Sequence, residues 1–383
     1  MKGFDVISLV FNEIYNYEVH FEEENGLNVK RPSQEKLIED VRTVKRPKQE
    51  VDNWMSIDHQ KCLVFTSSGV LASEKIAAYD MDNTLIKTVS GNVFPKSIDD
   101  WQLNIADIPK KLKKIHENGF KIVVFTNQAG IENKKMTVEN VKKKIAMIQQ
   151  RIEVPMQFFI ATGSTIYRKP RTAMWKLLEE RFNDGIKIDI SASFYCGDAA
   201  GRPENKVLKK KKDHSSADRL FAMNLNLNFF TPEEHFQRAN HSLWTRPDFN
   251  PKALSETMAL LEPPGAQLKL PEQELIILVG YPGSGKSHFC KTHLKGYEII
   301  NRDSLNSMQK CVSSIEANLQ KGKSCVVDNT NPDQGSRRKF IDVAKSMGIK
   351  VRCFQMNTSY HHSRHNNLFR ELTDTSHQKI SEV

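Results

Sequence analysis

Short runs of β-branched, aliphatic and aromatic residues alternate with amphipathic segments along most of this chain, and that alternation restricts the fold more than any other feature. Four such runs predict buried parallel strands, at residues 76–80, 121–127, 157–161 and 193–197. Apolar residues at three- and four-residue spacing predict helices at 108–118 and 138–152. Strands and helices that alternate in this order form α/β domains.

The same pattern returns after residues 261–271, a stretch rich in proline and glycine that is typical of a linker. Strands are predicted at 275–279, 324–328 and 350–355, with helices that begin near Lys286, Asp303 and Ser336. We therefore predict an α/β protein with two doubly wound domains, at residues 61–260 and 272–383.

Residues 1–60 lack this alternation and carry two Lys-Arg-Pro clusters, at 30–32 and 45–47. They are predicted to form a weakly ordered basic extension. The clusters fit a nuclear import signal, an arm that attracts phosphate, or a solvated linker.

Composition narrows the class of protein. The 383 residues include 56 Lys and Arg against 46 Asp and Glu, and this net charge of +10 favours an anionic partner such as nucleic acid or nucleotide. The six cysteines form no Cys-x-x-Cys pair, which argues against a disulfide framework and against a cysteine zinc site. No apolar run approaches the ~18 residues of a membrane helix, and the N-terminus lacks a secretory signal, so an intracellular protein without a membrane segment is expected.

Two acids, Asp80 and Asp82, stand where the first predicted strand ends. Alternation along an extended segment points both side chains the same way. Two carboxylates that face one spot repel each other unless a cation or a shared proton relieves them. The pair therefore predicts a Mg²⁺ site, an acid/base pair, or both, although an isolated Asp-x-Asp is more often a turn or a cap.

The next three strand ends carry further polar groups. Thr126 and Asn127 end the second strand, Lys169 follows the third, and Asp198 follows the fourth. The carboxyl ends of parallel strands meet at one edge of a sheet. A nucleophilic carboxylate, a neighbouring acid, a hydroxyl, a lysine and a metal-holding aspartate are the groups that phosphoryl transfer to an aspartate requires.

Residues 280–287 read GYPGSGKS, which fits the pattern G-x-x-x-x-G-K-[ST] between a predicted strand and a predicted helix. In this motif the backbone N–H groups face nucleotide phosphates, the lysine reaches the β- and γ-phosphates, and the last hydroxyl binds Mg²⁺. We predict a site for ATP and Mg²⁺ formed by Gly280, Gly283, Ser284, Gly285, Lys286 and Ser287.

Acids at two later strand ends, Asp303 and Asp328, accompany this motif. One is expected to act as a base toward an acceptor hydroxyl, and the other to support the Mg²⁺. The residues alone leave that assignment open.

The motifs DMDNT, FTNQAG, YRKP and GDAAGR, in this order, resemble the four motifs of the haloacid dehalogenase phosphohydrolases. The segments around them are similar to the 3′-phosphatase domain of the polynucleotide kinase 3′-phosphatase family. The resemblance implies that Asp80 is a nucleophile that forms an aspartyl-phosphate, and that Asp82 is the general acid and then the base.

The same resemblance implies a Mg²⁺ ion on Asp80, on Asp198 and on the backbone carbonyl of Asp82. It also implies phosphate contacts from Thr126, Asn127 and Lys169. Thr84 keeps two interpretations, since its hydroxyl fits either a phosphate contact or an N-cap of the following segment.

Three motifs in the second half, NRD at 301–303, DNTNPD at 328–333 and RHNNLFR at 364–370, resemble the kinase domain of the same family. This implies that Asp303 is the base, that Arg302 contacts the substrate and that Asp328 supports the metal. It also implies a lid whose arginines, Arg364 and Arg370, close over the transferred phosphate, although the two are too far apart for adjacent helical turns.

The resemblance as a whole implies a bifunctional enzyme of DNA strand-break repair. It would remove 3′-phosphates with Mg²⁺ and phosphorylate 5′-hydroxyl ends with ATP, as a monomer in the nucleus. The family continues beyond residues 374–377, so the kinase domain is expected to be incomplete, and a phosphatase or a nucleotide-binding protein with a disabled kinase half is the alternative. A kinase and phosphatase of small metabolites is a further one.

Two further features are the length of the segment before the first domain and a run of lysines. The ~60 residues before the first domain are too few for the forkhead-associated domain of larger family members. The lysine run at 209–212 fits either a solvated loop or a contact with the DNA backbone.

Overall fold

A computed structural model describes residues 5–9, 51–93, 95–206, 211–254 and 260–373. The chain divides into two compact units, with a boundary between Arg246 and Pro247. The first strand, β1 (Asp5–Leu9), belongs to the unit that follows this boundary, and the described residues from 51 to Arg246 form the other unit.

The first unit is built on a seven-stranded sheet in the order β10-β9-β4-β7-β8-β3-β2. All neighbours from β10 to β8 are parallel, whereas β3 and β2 are antiparallel additions at one edge. A separate antiparallel ribbon joins β5 to β6. The strands of this unit are β2 (Asn53–Ile57), β3 (Cys62–Thr66), β4 (Ile76–Tyr79), β5 (Ile86–Lys87), β6 (Gln102–Leu103), β7 (Lys121–Asn127), β8 (Met156–Ala161), β9 (Phe194–Cys196) and β10 (Asn228–Phe230).

Helices cover both faces of this sheet. Alternate residues of β3 enter two separate apolar clusters, with Leu63 and Phe65 on one face and Cys62 and Val64 on the other. Such two-sided burial explains why the parallel strands read as continuous apolar runs. The helices are α1 (Ile108–Glu117), α2 (Val138–Ile152), α3 (Ala173–Arg181), α4 (Ala217–Asn224) and α5 (Pro232–Gln237).

The second unit holds a six-stranded sheet in the order β11-β1-β15-β12-β14-β13. Only β11, at the edge, is antiparallel to its neighbour. Two clusters again bury alternate residues of the central strand on opposite faces. Its further elements are β11 (Leu261–Glu262), β12 (Glu274–Val279), α6 (Lys286–His293), β13 (Glu298–Ile300), α7 (Arg302–Leu305), α8 (Met308–Gln320), β14 (Cys325–Val327), α9 (Gln334–Ser346), β15 (Lys350–Met356) and α10 (Tyr360–Thr373).

These sheets confirm the predicted α/β class with two doubly wound units. Both β7 and α2 begin and end at the predicted residues. The start of α2 is fixed by Thr137, whose side chain accepts a hydrogen bond from the backbone N–H of Asn140. Among the described helices, none combines the length and the apolar composition needed to cross a membrane.

The predicted extension at residues 1–60 is wrong for two of its segments. β1 pairs in parallel with β15 along its whole length, from Asp5 opposite Arg352 to Leu9 opposite Met356, and β2 pairs with β3. The partner of β1 is distant in sequence, so a short apolar run gives no local signal of the pairing. The two Lys-Arg-Pro clusters lie outside the described residues.

The predicted linker at residues 261–271 is also wrong, because it belongs to the second unit. β11 pairs with β1, and the buried guanidinium of Arg352 donates hydrogen bonds to the carbonyls of Gln267 and Leu268. The same guanidinium forms a buried ion pair with Glu274. A proline-rich stretch can thus be held by side-chain contacts even where it lacks regular structure.

Candidate active sites

The buried ammonium group of Lys169 organises the polar edge of the seven-stranded sheet. Its Nζ lies 2.6 Å from Oδ1 of Asp80, 2.7 Å from Oδ1 of Asp218 and 2.8 Å from the hydroxyl of Tyr195. Burial alone would lower the pKa of Lys169, but Asp218 and Asp80 raise it, so the ammonium stays charged. The fold therefore places Lys169 against Asp80, as expected from the predicted strand ends.

Asp218, at the start of α4, is a site residue that the sequence prediction missed. Its carboxylate accepts hydrogen bonds from Lys169, from the Tyr195 hydroxyl at 3.1 Å and from the backbone N–H of Ala199 at 2.9 Å. It packs so closely on Gly197 that a Cβ there would lie 2.5 Å from its Cγ. Asp218 follows no strand, so the strand-end rule that located the other acids gave no signal for it.

Three acids, Asp80, Asp198 and Asp218, form the group that fits a metal ion. One carboxylate oxygen from each lies within 4.8 Å of the other two. Burial and the neighbouring carboxylates raise the pKa of Asp80 and of Asp198, although Lys169 acts in the opposite direction. One lysine faces three carboxylates, and oxygen donors suit a hard divalent cation, so this group fits Mg²⁺.

Thr84 and Asn127 hold other site residues. The Thr84 hydroxyl accepts a hydrogen bond from the backbone N–H of Asp198 at 3.1 Å, and β5 rather than a helix follows it, so the N-cap interpretation was wrong. The side chain of Asn127 accepts from the backbone N–H of Lys169 at 2.9 Å and donates to its carbonyl at 3.2 Å. Both side chains fix the backbone beneath the site.

The loop that carries Asp198 is fixed from a second side. Arg202 donates from Nη2 to the Asp198 carbonyl at 3.2 Å and from Nε to the carboxylate of Asp213 at 2.9 Å. Lys211 and Lys212 follow on the same connection and are exposed. Lys209 and Lys210 of the predicted DNA contact lie outside the described residues.

Asp82 lies apart from the three-carboxylate group, and its side chain is 45% exposed. Its Oδ1 lies 3.1 Å from Nζ of Lys144, and its Oδ2 accepts a hydrogen bond from Nε2 of Gln128 at 2.7 Å. The same Gln128 amide donates to the hydroxyl of Thr126 at 2.9 Å. The first acid is therefore buried with a lysine, and the second is held toward solvent.

The loop between β12 and α6 is the predicted P-loop. Gly283 and Gly285 have φ angles of +78° and +94°, which only glycine adopts without strain. Lys286 turns its Nζ back onto the carbonyls of Gly280 at 3.0 Å and Tyr281 at 2.8 Å. Burial lowers the pKa of Lys286 to about 8, although the nearby carboxylates of Asp328 and Asp303 oppose the shift. Ser287, at the start of α6, is exposed.

Asn301 links the two predicted acids of this second site. Its side-chain amide donates to the carbonyl of Asp328 at 2.7 Å, and its side-chain oxygen accepts from the backbone N–H of Asp303 at 2.8 Å. Asp328 is buried at the end of β14, whereas Asp303 and Arg302 are exposed in α7. The pattern suits an acid near a metal and an exposed base, as the resemblance implied.

α10 packs directly on the P-loop. Asn366 donates from Nδ2 to the Gly283 carbonyl at 3.1 Å, and Thr358, just before the helix, donates to the Ser284 carbonyl at 3.0 Å. At about 100° per residue, Arg370 falls on the helix face that holds Asn366, whereas Arg364 lies more than a quarter turn away. Only one of the two predicted lid arginines shares the face that contacts the loop.

Two family models match parts of this chain. A family model described as "Polynucleotide kinase 3 phosphatase" matches residues 75–236, which include the three-carboxylate group. A model described as "AAA domain" matches residues 306–383, which follow the P-loop and include α10.

Three relatives of this chain are named for phosphatase or kinase activity on polynucleotides. The "Bifunctional polynucleotide phosphatase/kinase" of Schizosaccharomyces pombe is 35% identical over 92% of this chain and 84% of its own length. The "Putative bifunctional polynucleotide phosphatase/kinase" of Acanthamoeba polyphaga mimivirus is 34% identical over 78% of this chain and 76% of its own length. The "Polynucleotide 3'-phosphatase ZDP" of Arabidopsis thaliana is 43% identical over 44% of this chain and 25% of its own length.

Proposed function

Because the chain belongs to the bifunctional polynucleotide phosphatase/kinase family, we propose that it removes 3′-phosphates from DNA ends and phosphorylates their 5′-hydroxyl groups with ATP. The observation that carries this proposal is the presence of both sites in one chain. Asp80 pairs with a buried lysine at the end of β4, and a P-loop opens α6 in the second unit.

In the phosphatase reaction, an oxygen of Asp80 attacks phosphorus, the bond from phosphorus to the 3′-oxygen breaks, and Asp82 gives its proton to that oxygen. Water then attacks the aspartyl-phosphate and passes a proton to Asp82, and the bond between phosphorus and Asp80 breaks. Lys169 keeps Asp80 in place and neutralises phosphate charge. The exposed position of Asp82 supports its role, since it must reach both the leaving group and water.

Mg²⁺, held by Asp80, Asp198 and Asp218, would balance the negative charge of the carboxylates and of the phosphate. Three residues keep these carboxylates in position without the ion: Lys169 holds Asp80 and Asp218, and Thr84 and Arg202 hold the Asp198 loop. We propose Mg²⁺ because all three donors are carboxylate oxygens.

In the kinase reaction, the 5′-oxygen attacks the γ-phosphorus of ATP, Asp303 accepts the hydroxyl proton, and ADP leaves. Lys286 would exchange its contacts with the loop carbonyls for phosphate oxygens. Asp328 and Ser287 would hold the Mg²⁺ of the nucleotide. Asp303 is exposed, Asp328 is buried, and Asn301 links the two, which supports the division into a base and a metal-supporting acid.

The preference for DNA is a proposal that rests on charge. The net charge of +10 and the exposed Lys211 and Lys212, near the Asp198 loop, favour a polyanion. We propose nuclear repair as the setting, with a monomer as the active form. Replacing Lys211 and Lys212 with Ala should weaken DNA binding and flatten its dependence on salt, and an unchanged salt slope would remove this part.

One oligonucleotide tests the whole proposal. It carries a 3′-phosphate and a 5′-hydroxyl and is incubated with Mg²⁺, with or without ATP, and with the wild type, Asp80→Asn or Lys286→Met. Asp80→Asn should reduce release of the 3′-phosphate by at least about 10⁴-fold and leave the 5′ reaction intact. Lys286→Met should do the reverse.

Two exposed residues provide matched controls, Asp99→Asn for the carboxylate and Lys291→Met for the lysine. Neither should change either reaction by more than about twofold. A wild-type protein that leaves both ends untouched would contradict the proposal. Reaction at the 3′ end alone would leave a phosphatase and remove the kinase half.

A further inference from the structure

Lys144 occupies an unusual place for a lysine. It lies on the buried face of α2, among Val141, Ile145 and Ile148, and its side chain is only 6% exposed. A buried ammonium is costly unless a carboxylate and hydrogen bonds compensate it. No strand end or motif pointed to this residue, since in sequence it is one member of a basic stretch at 142–144.

The carboxylate that compensates Lys144 is Asp82, 62 residues earlier in the chain. Lys144 contacts Oδ1 and Gln128 contacts Oδ2, so each carboxylate oxygen has its own donor, from α2 and from the loop after β7. Gln128 is itself oriented by the Thr126 hydroxyl. Two donors on opposite oxygens restrict both the position and the rotation of the carboxylate.

A separate lysine thus serves each of the two neighbouring acids. Lys169 holds Asp80 within the three-carboxylate group, and Lys144 holds Asp82 outside it. Asp80 and Asp82 are two residues apart and repel each other, so without Lys144 the Asp82 carboxylate would be held by Gln128 alone. A proton donor has to lie within hydrogen-bond reach of the oxygen that leaves, and a misplacement of ~1 Å can cost about 100-fold in rate.

We propose that Lys144, together with Gln128, is a positioning residue for the 3′-phosphatase reaction, since it holds the Asp82 carboxylate where it meets the leaving oxygen and, afterwards, the attacking water. The inference rests on the proposed function of this site. Lys144 touches neither substrate nor metal in this role, and it acts only through Asp82.

Two substrates with different leaving groups separate this role from a structural one. The leaving oxygen of a 3′-phosphorylated oligonucleotide needs a proton. The leaving group of p-nitrophenyl phosphate is p-nitrophenolate, which is stable without one. In Lys144→Met, the rate of oligonucleotide dephosphorylation should fall on the order of 100-fold with little change in KM. With p-nitrophenyl phosphate, formation of the aspartyl-phosphate should stay fast and its hydrolysis should become slow.

The variant should therefore release a burst of nitrophenol close to one equivalent per enzyme, followed by slow turnover, and acid quenching should trap covalent phosphate. Lys144→Arg should recover much of the rate because it keeps the cation. Lys143→Met, at the exposed neighbouring position of α2, is the matched control and should behave as the wild type.

A structural role gives a different result, because misfolded enzyme lowers the activity toward both substrates equally and shrinks the burst. Gln128→Ala provides a second test that keeps Lys144, and it should show the same burst with a smaller loss. The inference would be overturned if Lys144→Met and Gln128→Ala both lost activity equally toward the two substrates and showed no burst. It would also be overturned if both variants turned over the oligonucleotide at the wild-type rate. A wild type inactive on the oligonucleotide would instead refute the proposed function itself.

Discussion

The two sites each contain a buried lysine, but the surroundings of these lysines are opposite. Lys169 contacts two carboxylates, and they raise its pKa despite its burial. Lys286 contacts backbone carbonyls, and burial lowers its pKa to about 8. The first site has an excess of negative charge and fits a metal ion. In the second site no carboxylate of the described residues contacts the lysine ammonium, and the loop fits a polyphosphate.

The sites also differ in how far apart their residues lie in the sequence. Lys169 is 89 residues from Asp80 and 49 residues from Asp218, so the phosphatase site forms only when the end of β4, the segment after β8 and α4 are brought together. The loop contacts of Lys286 lie five and six residues away. A long-range ion network and a local backbone loop therefore solve the same problem of holding a phosphate group.

The largest effect that would sharpen this contrast is expected from Ile7→Pro. Ile7 pairs with Phe354 on β15, and β1 lies between β15 and β11. Proline lacks a backbone N–H and is poorly tolerated inside a sheet, so it should disturb the sheet that carries the P-loop. We expect 5′ phosphorylation to fall by at least about 100-fold while 3′-phosphate release remains. Both activities are measured on the same oligonucleotide.

Ile7→Val, which keeps the backbone N–H and a β-branched side chain, is the control for this change. A proline variant with full kinase activity would mean that the P-loop sheet does not depend on β1. A parallel loss of both activities would mean that the two units are not independent.

The second effect concerns the long-range network. Asp218→Asn keeps the shape of the side chain but removes a charge from the carboxylate group that faces Lys169 and would hold the proposed Mg²⁺. We expect phosphatase turnover to fall on the order of 100-fold and a higher Mg²⁺ concentration to be needed for half-maximal rate. Asp99→Asn controls for a surface charge, and an unchanged Mg²⁺ dependence would remove Asp218 from the metal group.

The third effect tests the P-loop lysine through pH. With a pKa of about 8 in the free protein, Lys286 is charged below pH 8 and increasingly neutral above it. Phosphate binding requires the charged form, so ATP affinity should fall as pH rises, by up to about tenfold per unit between pH 8 and about 10. Calorimetry between pH 7 and 9.5 measures this slope and the accompanying proton uptake.

Lys286→Arg should flatten that slope, because an arginine stays charged over the whole range. The phosphatase should show no comparable loss from Lys169, since the pKa of that lysine is raised. An ATP affinity that is flat up to pH 9.5 would show that Lys286 is already fully charged before the nucleotide binds.

The smallest effect separates the two lid arginines. Arg370 shares a helix face with Asn366, which contacts the P-loop, and Arg364 does not. We expect Arg370→Ala to raise the KM for ATP about tenfold and Arg364→Ala to raise it less than about threefold. Steady-state kinetics at saturating oligonucleotide measure both, and the reverse order would mean that α10 turns when the nucleotide binds.

Much of the fold followed from local pattern. The limits of β7 and α2 were predictable because burial on both sheet faces gives a continuous apolar run, and burial of one helix face gives a 3.6-residue period. Asp80, Lys169 and Asp198 were predictable from strand ends. β1 was not, because a five-residue strand acquires its partner only through the tertiary structure.

The missed site residues share a cause. Asp218 and Lys144 lie on helices, where an acid in the first turn or a lysine in a basic stretch is ordinary. Their roles depend on the charged group that the folded chain places about 3 Å away, which is Lys169 for Asp218 and Asp82 for Lys144. Spacing along a helix does not predict such distant partners. For Asn127, the structure adds a contact that spacing could not predict, since its amide holds the backbone of Lys169; its phosphate contact stays a prediction.

The pairing of β1 with β15 has a consequence for protein synthesis. Roughly 340 residues separate the two strands, so at 5–20 residues per second β1 leaves the ribosome roughly 20 to 70 s before its neighbour exists. The phosphatase unit is complete within that interval. We therefore expect a nascent chain to gain its phosphatase fold first, and the kinase sheet to close only when the beginning of the chain finds a strand made near the end.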